Sequence, residues 1–585
     1  MRAMSAKLIA VESVFKKQRD MLDMLGERQF IMSAHLIARD DFGFLYSVDL
    51  QKLARLDLVK NNLNQLVNDG FKVTKRTYKG KELLEITSKE TFETLTVSFI
   101  ENLLVASYTH TLLEKSIDQY QTPVQGRDLQ FLEILREVRQ QDLFRLYVNH
   151  NYLQQFYTCF SNESSSLIAA LSEHVTFSGF HVSVQNDELL IAQGYATGDA
   201  VLGSLITAMD HAGTGSIDAT TILPDETALY FCMGFDDFAG VHNTFYELLE
   251  KQHPELVTQY NTNRKTLEDF LKIDLQQDFY SWVDDEIAFA KANIPNATEK
   301  DGLALIFKTK NTEDAIAGLD KIRGQIRKRT PAKFKTVAYR VYDINYLDIK
   351  GFFKLILGKL FKDIEKPYYV VLDDFVVFSN SPKTLKLYID RYLDQKTLAQ
   401  NDYYRDFVDH FSNSSNVFLY INTNELSDAA QPSLTLYTRG ELKKNEDFYT
   451  QFTQLGLELK ANGNLFYSKL AIHYDADYDA EALRAERRSQ SGTTSDQDAV
   501  LAKDTVFTIP DIFPDDFTAA FYEKKYGNGK VRYKVYLRDA SPHGRFNEYY
   551  PDGALKISGR YKKGKQTGLW KAYEPDGELF YKERF

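Results

Sequence analysis

The feature that most restricts how this chain can fold is an internal duplication that runs from its start to about residue 476. Four pairs of segments recur in the same order. "FGFLYSVDLQK" at 42–52 resembles "GLALIFKTKN" at 302–311. "VSFIENLLVASYTHTLLEKSIDQY" at 97–120 resembles "YVVLDDFVVFSNSPKTLKLYIDRY" at 369–392, with Ser107 falling on Ser379, Ile117 on Ile389 and Tyr120 on Tyr392 at a constant separation of 272. "LFRLYVNHNYL" at 143–153 matches "NVFLYINTNEL" at 416–426, and "FSGFHVSVQNDELLIAQGYATG" at 177–198 matches "LGLELKANGNLFYSKLAIHYDAD" at 455–477. Because the offsets rise only from about 260 to about 276, the chain reads as two homologous units, 1–215 and 216–480.

Within each unit the segments alternate apolar and polar residues and are joined by turn dipeptides, the pattern of antiparallel hairpins. The expected turn residues are Glu101-Asn102, Asp373-Asp374, Asn186-Asp187 and Asn462-Gly463. A helix follows Ser379, with Ser379 or Ser381 as its cap and Pro382 in its first turn. The expected fold class is therefore α+β, two units of mainly antiparallel sheet packed with helices.

The copies differ at the front. The second opens with a strand after Pro224 and a helix in "TILPDETALYFCMGFDDFAGVHNTFYELLE", and about 80 residues precede its "GLALIF" strand; only about 41 precede the partner in the first copy. The expectation is that copy one lacks an opening strand and some 40 residues. Residues 1–30 mix charges every few positions, with Leu8, Ile9, Val11, Val14, Phe15, Met21, Leu22 and Leu25 at helical spacing, and hold no signal-like or membrane-spanning run. The stretch 351–364, "GFFKLILGKLFKDI", is interrupted by lysines and reads as a packed helix.

Residues 481–514 are polar and read as a linker. Beyond them, 515–585, a module repeats: Gly529, Gly553 and Gly577 are 24 apart, as are Gly544 and Gly568. Turn dipeptides ending in glycine alternate with short aromatic strands, in which Phe546 matches Trp570 and Tyr549 matches Tyr573. Such hairpins must stack to bury their aromatic faces.

The composition excludes several classes. Lys and Arg number 71 against 82 Asp and Glu, so a net charge of −11 gives no general attraction to nucleic acid. The hydrophobic fraction of 43% with 36 Tyr and 40 Phe excludes a mostly disordered chain, and 2 Cys exclude a disulfide-stapled scaffold. Acidic pairs at Asp40-Asp41, Asp236-Asp237, Asp284-Asp285 and Asp373-Asp374 suit turns and element starts, since adjacent carboxylates diverge. The histidines form no HxH or HExxH pattern, and Gly213 and Gly215 in "HAGTGSIDATTILP" lack a following Lys-Ser/Thr, so that segment reads as the connector between copies. No catalytic, cofactor or metal site is expected.

The carboxyl-terminal module, with "G-x-W/F-x-x-Y/F-x-x-D-G-x-L" met at 544–555 and 568–579, resembles the MORN-type repeats of the "YwqK family antitoxin" proteins. The resemblance implies a surface for a protein or envelope component. Read from the residues themselves, Phe546, Tyr549, Tyr550, Trp570, Tyr573, Lys562, Lys563 and Lys565 are the candidate surface, Gly529, Gly544, Gly553, Gly568 and Gly577 are the structural turns of the module, and Asn462 and Gly463 are those of the last hairpin of the second copy. Residues 30–480, through "SAHLIARDDFGFLYSVDL", "SWVDDEIAFAKA" and "PYYVVLDDFVVFSNSPKTLKLYIDRYLDQKTLAQNDYYRDF", resemble Bacteroidota-type envelope proteins with a domain of unknown function. Members of that family usually start with a membrane anchor and an opening strand, so the resemblance implies an extracytoplasmic, membrane-associated protein, whereas the sequence as given reads as soluble. The functional expectation is a non-enzymatic interaction or scaffold protein. The alternative is a carrier that holds an apolar ligand or lipid in a cavity of the duplicated body.

Overall fold

The fold is taken from a computed structural model, which describes residues 29–38, 41–50, 70–89, 92–138, 143–161, 165–252, 254–294, 301–329, 336–347, 352–353, 364–365, 367–425, 434–478, 521–525, 530–538, 541–550 and 552–585. The helix read over residues 8–25, the linker at 481–514, the Asn528-Gly529 turn and most of 351–364 lie outside these residues. The chain divides into two compact units, Met1–Leu132 with Gln154–Ser161, and Glu133–Leu153 with Asn162–Phe585.

In the first unit the strands β1 (Phe30–Ala38), β2 (Asp41–Asp49), β3 (Phe71–Tyr78), β4 (Lys81–Ser88), β5 (Thr94–Ile100) and β6 (Leu103–Ser107) form an antiparallel sheet in the order β1-β2-β6-β5-β4-β3. Helix α1 (His110–Gln121) follows. Its Leu113 and Ile117, one turn apart, pack on Leu83, Ile100 and Val105.

The second unit contains β7 (Phe144–Asn149), β8 (Val175–Gln185), β9 (Leu189–Gly198), β10 (Gly215–Ser216), β11 (Thr227–Gly234), β12 (Val283–Ala292), β13 (Leu303–Thr309), β14 (Val337–Tyr339), β15 (Tyr342–Tyr346), β16 (Tyr368–Leu372), β17 (Phe375–Ser379), β18 (Ser414–Ser415), β19 (Val417–Asn422), β20 (Phe452–Asn462) and β21 (Leu465–Tyr474). β10 pairs with β18, and the other thirteen make one antiparallel sheet in the order β14-β15-β16-β17-β13-β12-β11-β19-β20-β21-β9-β8-β7. Helices α2 (Phe238–Gln252) and α3 (Pro254–Leu271) connect β11 towards β12, α4 (Thr312–Arg329) follows β13, and α5 (Pro382–Leu393) follows β17.

The sheet orders display the duplication. Copy two runs β14-β15-β16-β17-β13-β12-β11-β19-β20-β21, and copy one runs β3-β4-β5-β6-β2-β1 and, separately, β7-β8-β9. Nine strands correspond in the same order, and of the ten strands in the run of copy two β11 alone has no counterpart among the described residues of copy one. The compact units therefore do not divide at 215/216. The last three strands of copy one extend the sheet of copy two, because β9 pairs with β21 from Leu189↔His473 to Ala196↔Phe466.

Local chemistry repeats as well. Buried Ser107 donates its hydroxyl to Phe44 O (2.7 Å) and accepts Thr109 N–H (3.0 Å), while buried Ser379 donates to Leu303 O (2.6 Å) and accepts Ser381 N–H (3.2 Å). Glu101 (φ 53°) and Asp373 (φ 52°) hold the same left-handed turn position. Two expectations are corrected here. Neither Ser379 nor Ser381 caps α5 through its side chain; Ser381 is the N-cap residue by backbone position, with Pro382 at the start of the helix. The β20–β21 turn centres on Gly463-Asn464 rather than Asn462-Gly463, because Asn462 still pairs with Leu465 and Gly463 (φ 64°) takes the first turn position.

The central strands of copy two are buried on both faces. Along β12 and β13, Ala288, Ala290, Ala304 and Ile306 enter one core while Ile287, Leu305 and Phe307 enter the other. Leu385, Tyr388 and Ile389 of α5 close the first core; Leu319, Ile322 and Ile326 of α4 close the second. The sequence 211–224 is also more than a connector. Ala219, Ile222 and Leu223 are buried in the first core, and a Cβ on Gly215 would lie 2.1 Å from Asp285 O.

The final sheet contains β22 (Phe521–Lys525), β23 (Val531–Arg538), β24 (Ser541–Tyr549), β25 (Leu555–Lys562), β26 (Lys565–Tyr573) and β27 (Leu579–Arg584), paired in chain order. Gly544, Gly553, Gly568 and Gly577 all have positive φ. At Gly553 and Gly577, φ of 96° and 91° allows the turn backbone that a Cβ would strain.

Candidate functional site

The terminal sheet has one face committed to its own chain. Phe546 of β24 stacks on Trp570 of β26 with ring centroids 5.5 Å apart, and Tyr561 meets Trp570 edge-on at 5.0 Å. Gly559 in the intervening β25 makes this stack possible, since a Cβ there would lie 2.1 Å from the indole. The Trp570 indole N–H donates to Arg560 O at 3.2 Å. Over this face lies helix α6 (Leu436–Lys444), whose Leu436 enters the same core. Gly440 lets the backbones approach, since its Cβ would lie 2.4 Å from the Phe580 ring. Polar contacts surround the seam. Arg439 pairs with Glu583 (2.8 Å) and lies over the Phe585 ring, and Lys444 pairs with Glu574 (2.8 Å) and lies over Phe580.

This arrangement removes part of the expected interaction surface. Trp570 is buried and Phe546 is half-buried in the core beneath α6, because they are the large aromatics that the stacked hairpins must cover. Tyr549, Tyr550 and Tyr573 are half-buried, and Tyr550 donates its hydroxyl to Tyr573 O at 2.9 Å. Lys562 and Lys563 are exposed at the β25–β26 hairpin, with Lys565 half-buried beside them. The face opposite α6 displays residues the sequence reading did not select. Tyr536 is exposed next to buried Val535, Leu569 is exposed next to buried Trp570, and Leu579 is exposed at the start of β27. Strand alternation is the signal by which the sequence could have pointed to Tyr536 and Leu569.

A second cluster joins the inter-copy segment to β12. Glu286 is fully buried. Its Oε2 accepts the N–H groups of Asp218 (2.8 Å) and Ala219 (3.0 Å), and its Oε1 accepts the Tyr230 hydroxyl (2.5 Å). Burial outweighs these donors and pushes its pKa up to about 7. Next to it, Asp285 accepts the Ser216 hydroxyl (2.9 Å), and Lys308 bridges Asp218 (2.6 Å) and Asp285 (3.1 Å). Burial works against the charged Lys308, yet these two carboxylates raise its pKa. The cluster is a buried latch between segments distant in sequence. The acidic run was read as the start of an element, and its alternation with Ile287 would have separated Glu286 from Asp285.

A polar cleft of about 990 Å³ lies along α2 and α3, lined by His242, Asn261, Arg264, Glu268, Lys272 and Lys321 among others. Burial lowers the His242 pKa. Among the described residues no three His, Cys, Asp or Glu side chains converge as a metal site, and no helix is long and apolar enough to cross a membrane. Cys159 and Cys232 form no disulfide; Cys159 is half-buried and its thiol donates to Gln155 O, and Cys232 is buried.

The family model for a "Protein of unknown function (DUF3352)" matches residues 54–337 and 357–486, most of the chain. The chain belongs to the DUF3352 family. In this DUF3352 protein the matched residues begin after β2, take in the rest of copy one and most of copy two, and stop before the terminal sheet. No curated protein and no solved structure matches it.

Proposed function

We propose that this DUF3352 protein is a non-enzymatic interaction or scaffold protein of the cell envelope, and that its MORN-type terminal sheet presents the face opposite α6 to a protein or surface component. One observation carries the reading: the aromatic face of the sheet is fixed on α6, while Tyr536, Leu569 and Leu579 are left exposed on a supported surface, which also carries the exposed Lys562-Lys563 hairpin at the end of the sheet away from Leu579. Apolar anchors on a rigid support, with charge nearby, suit partner recognition. The envelope location is supported by the resemblance of residues 30–480 to envelope proteins. The carrier reading has less support, because both faces of the central sheet in copy two are filled by side chains such as Tyr388, Phe307 and Phe353. Cross-linked capture from native membranes tests the proposal by comparing the full chain with one lacking residues 515–585. Loss of specific bound components on removal is expected, and an unchanged bound set would refute it.

A further inference from the structure

We propose that the face of the terminal sheet opposite α6 binds a linear acidic polysaccharide, whose carboxylates seat on two pairs of cations standing directly opposite one another on neighbouring strands. The inference rests on the reading of this face as the interaction surface, and it names the chemistry of the partner.

The sheet sorts its charges by face. The register lines up Lys534, Asn547, Ser558, Lys571 and Lys582 across β23 to β27. Two residues along their strands from this row, Arg545, Arg560 and Arg584 lie on the same face. The strands β23 to β27 hold two carboxylates, and both belong to the other face. Glu548 stands opposite buried Ile557, and Glu583 stands opposite buried Trp570, where it meets Arg439 of α6. The acid on the outer face is Glu523 of β22, opposite Lys534 and 3.7 Å from it at that edge. The chain as a whole carries −11, yet this face is cationic.

Two positions on it work against the fold. Arg545 is directly opposite Arg560, and Lys571 is directly opposite Lys582. Like charges so placed repel one another. Among the described residues none of the four has an acidic partner, and the aromatic core that the sheet must cover is on the other side. Arg545, Arg560 and Lys582 are exposed and Lys571 is half-buried. An anion held between the members of each pair turns the repulsion into charge-assisted hydrogen bonding, for which the guanidinium fork suits a carboxylate.

The layout selects the ligand class. The two pairs are roughly 12 Å apart, two strand spacings across and two residues along. Between them lie the hydroxyl residues Ser558 and Thr567, with Tyr536 and Leu569 exposed on the same face. The matching ligand has well-separated anionic groups joined by neutral, hydrogen-bonding units, which describes a polysaccharide with carboxylates on alternate sugars. Duplex nucleic acid carries its charges far more densely. A bilayer is flat, whereas neighbouring strands rotate by roughly 20–25° and make the sheet a saddle that a single flexible chain can follow.

The test measures, by calorimetry, the binding of hyaluronate, a linear polysaccharide with a carboxylate on alternate sugars, to the full chain. Saturable binding that weakens with added NaCl is expected, and neutral dextran should not bind. Arg545→Gln with Arg560→Gln, and separately Lys571→Gln with Lys582→Gln, should each weaken binding about tenfold or more. Both variants should keep or raise the thermal midpoint, because each loses a repulsive pair. Absence of saturable binding, equal binding by the folded variants, or tighter binding of polyglutamate or of anionic phospholipid vesicles would overturn the proposal. So would binding that appears only when the six aspartates between residues 496 and 516 are replaced by asparagine, since the face would then belong to the chain's own acidic segment. Tyr536→Asp with Leu569→Asp separates this proposal from the reading beneath it. If capture from native membranes is lost in that variant and kept in the cation variants, the face remains an interaction surface and the polysaccharide is refuted; if capture is unchanged in all three, both are.

Discussion

The Glu286 latch makes a pH prediction of unusual sign. An exposed carboxylate paired with cations stabilises a fold above its pKa, but Glu286 is buried with its pKa pushed from 4.5 up to about 7. Between these values the folded chain holds a proton that the unfolded chain releases. The contribution is therefore fully present below about pH 4.5 and is lost as pH rises through 7. The shift corresponds to roughly 3 kcal/mol. Glu286→Gln keeps the shape, with the amide oxygen facing the Asp218 and Ala219 N–H groups, and removes the titration. Urea unfolding from pH 4.5 to 8 should be followed by Trp282 fluorescence in a Trp570→Phe background, since Trp282 is buried in the core beside this sheet. The stability of the chain that keeps Glu286 should fall by roughly 3 kcal/mol relative to the Glu286→Gln variant across that range, all other titrations being common to both. Parallel pH profiles would refute the argument.

Three other perturbations follow from close contacts. Gly440→Val should detach the terminal sheet from α6, because its Cβ would lie 2.4 Å from Phe580; limited proteolysis should then release the sheet while the body stays protected. In a double-mutant cycle, Arg439→Met and Glu583→Gln should show coupling of about 1–2 kcal/mol in the unfolding of the terminal sheet, since the Arg439 side chain is almost buried in the seam. Gly194→Ala should cost about 3 kcal/mol or more, measured by thermal unfolding, because its Cβ would lie 1.8 Å from the backbone oxygen of Gly179 in the neighbouring strand.

Much of this fold was legible because its signals are local. Period-two alternation and turn pairs mark hairpins, and a copy of the same text at constant separation marks equivalent strands, as Ser107 and Ser379 confirm by making the same pair of hydrogen bonds. The joining of copies through β9 and β21 was not legible, because strand pairing across some 270 residues has no local signature. The same holds for the seat of the terminal sheet. Within "LYTRGELKK" the charges suggest a solvated helix, yet Leu436, Arg439, Gly440 and Lys444 all face the aromatic hairpins. Glu286 was hidden for a related reason. A third acid after Asp284-Asp285 looks exposed until the partner N–H groups, nearly 70 residues earlier, are placed.

Removing residues 515–585 also uncovers Leu436 and the groove at Gly440, so the most direct test of the account changes the exposed face alone. Tyr536→Asp with Leu569→Asp leaves the seam with α6 untouched, because both side chains point away from it. Quantitative cross-linked capture from native membranes should show this variant folded, with the terminal sheet still docked, and depleted of the components that the unaltered chain binds. Retention of the full bound set by the folded variant would contradict the claim that this face is the interaction surface.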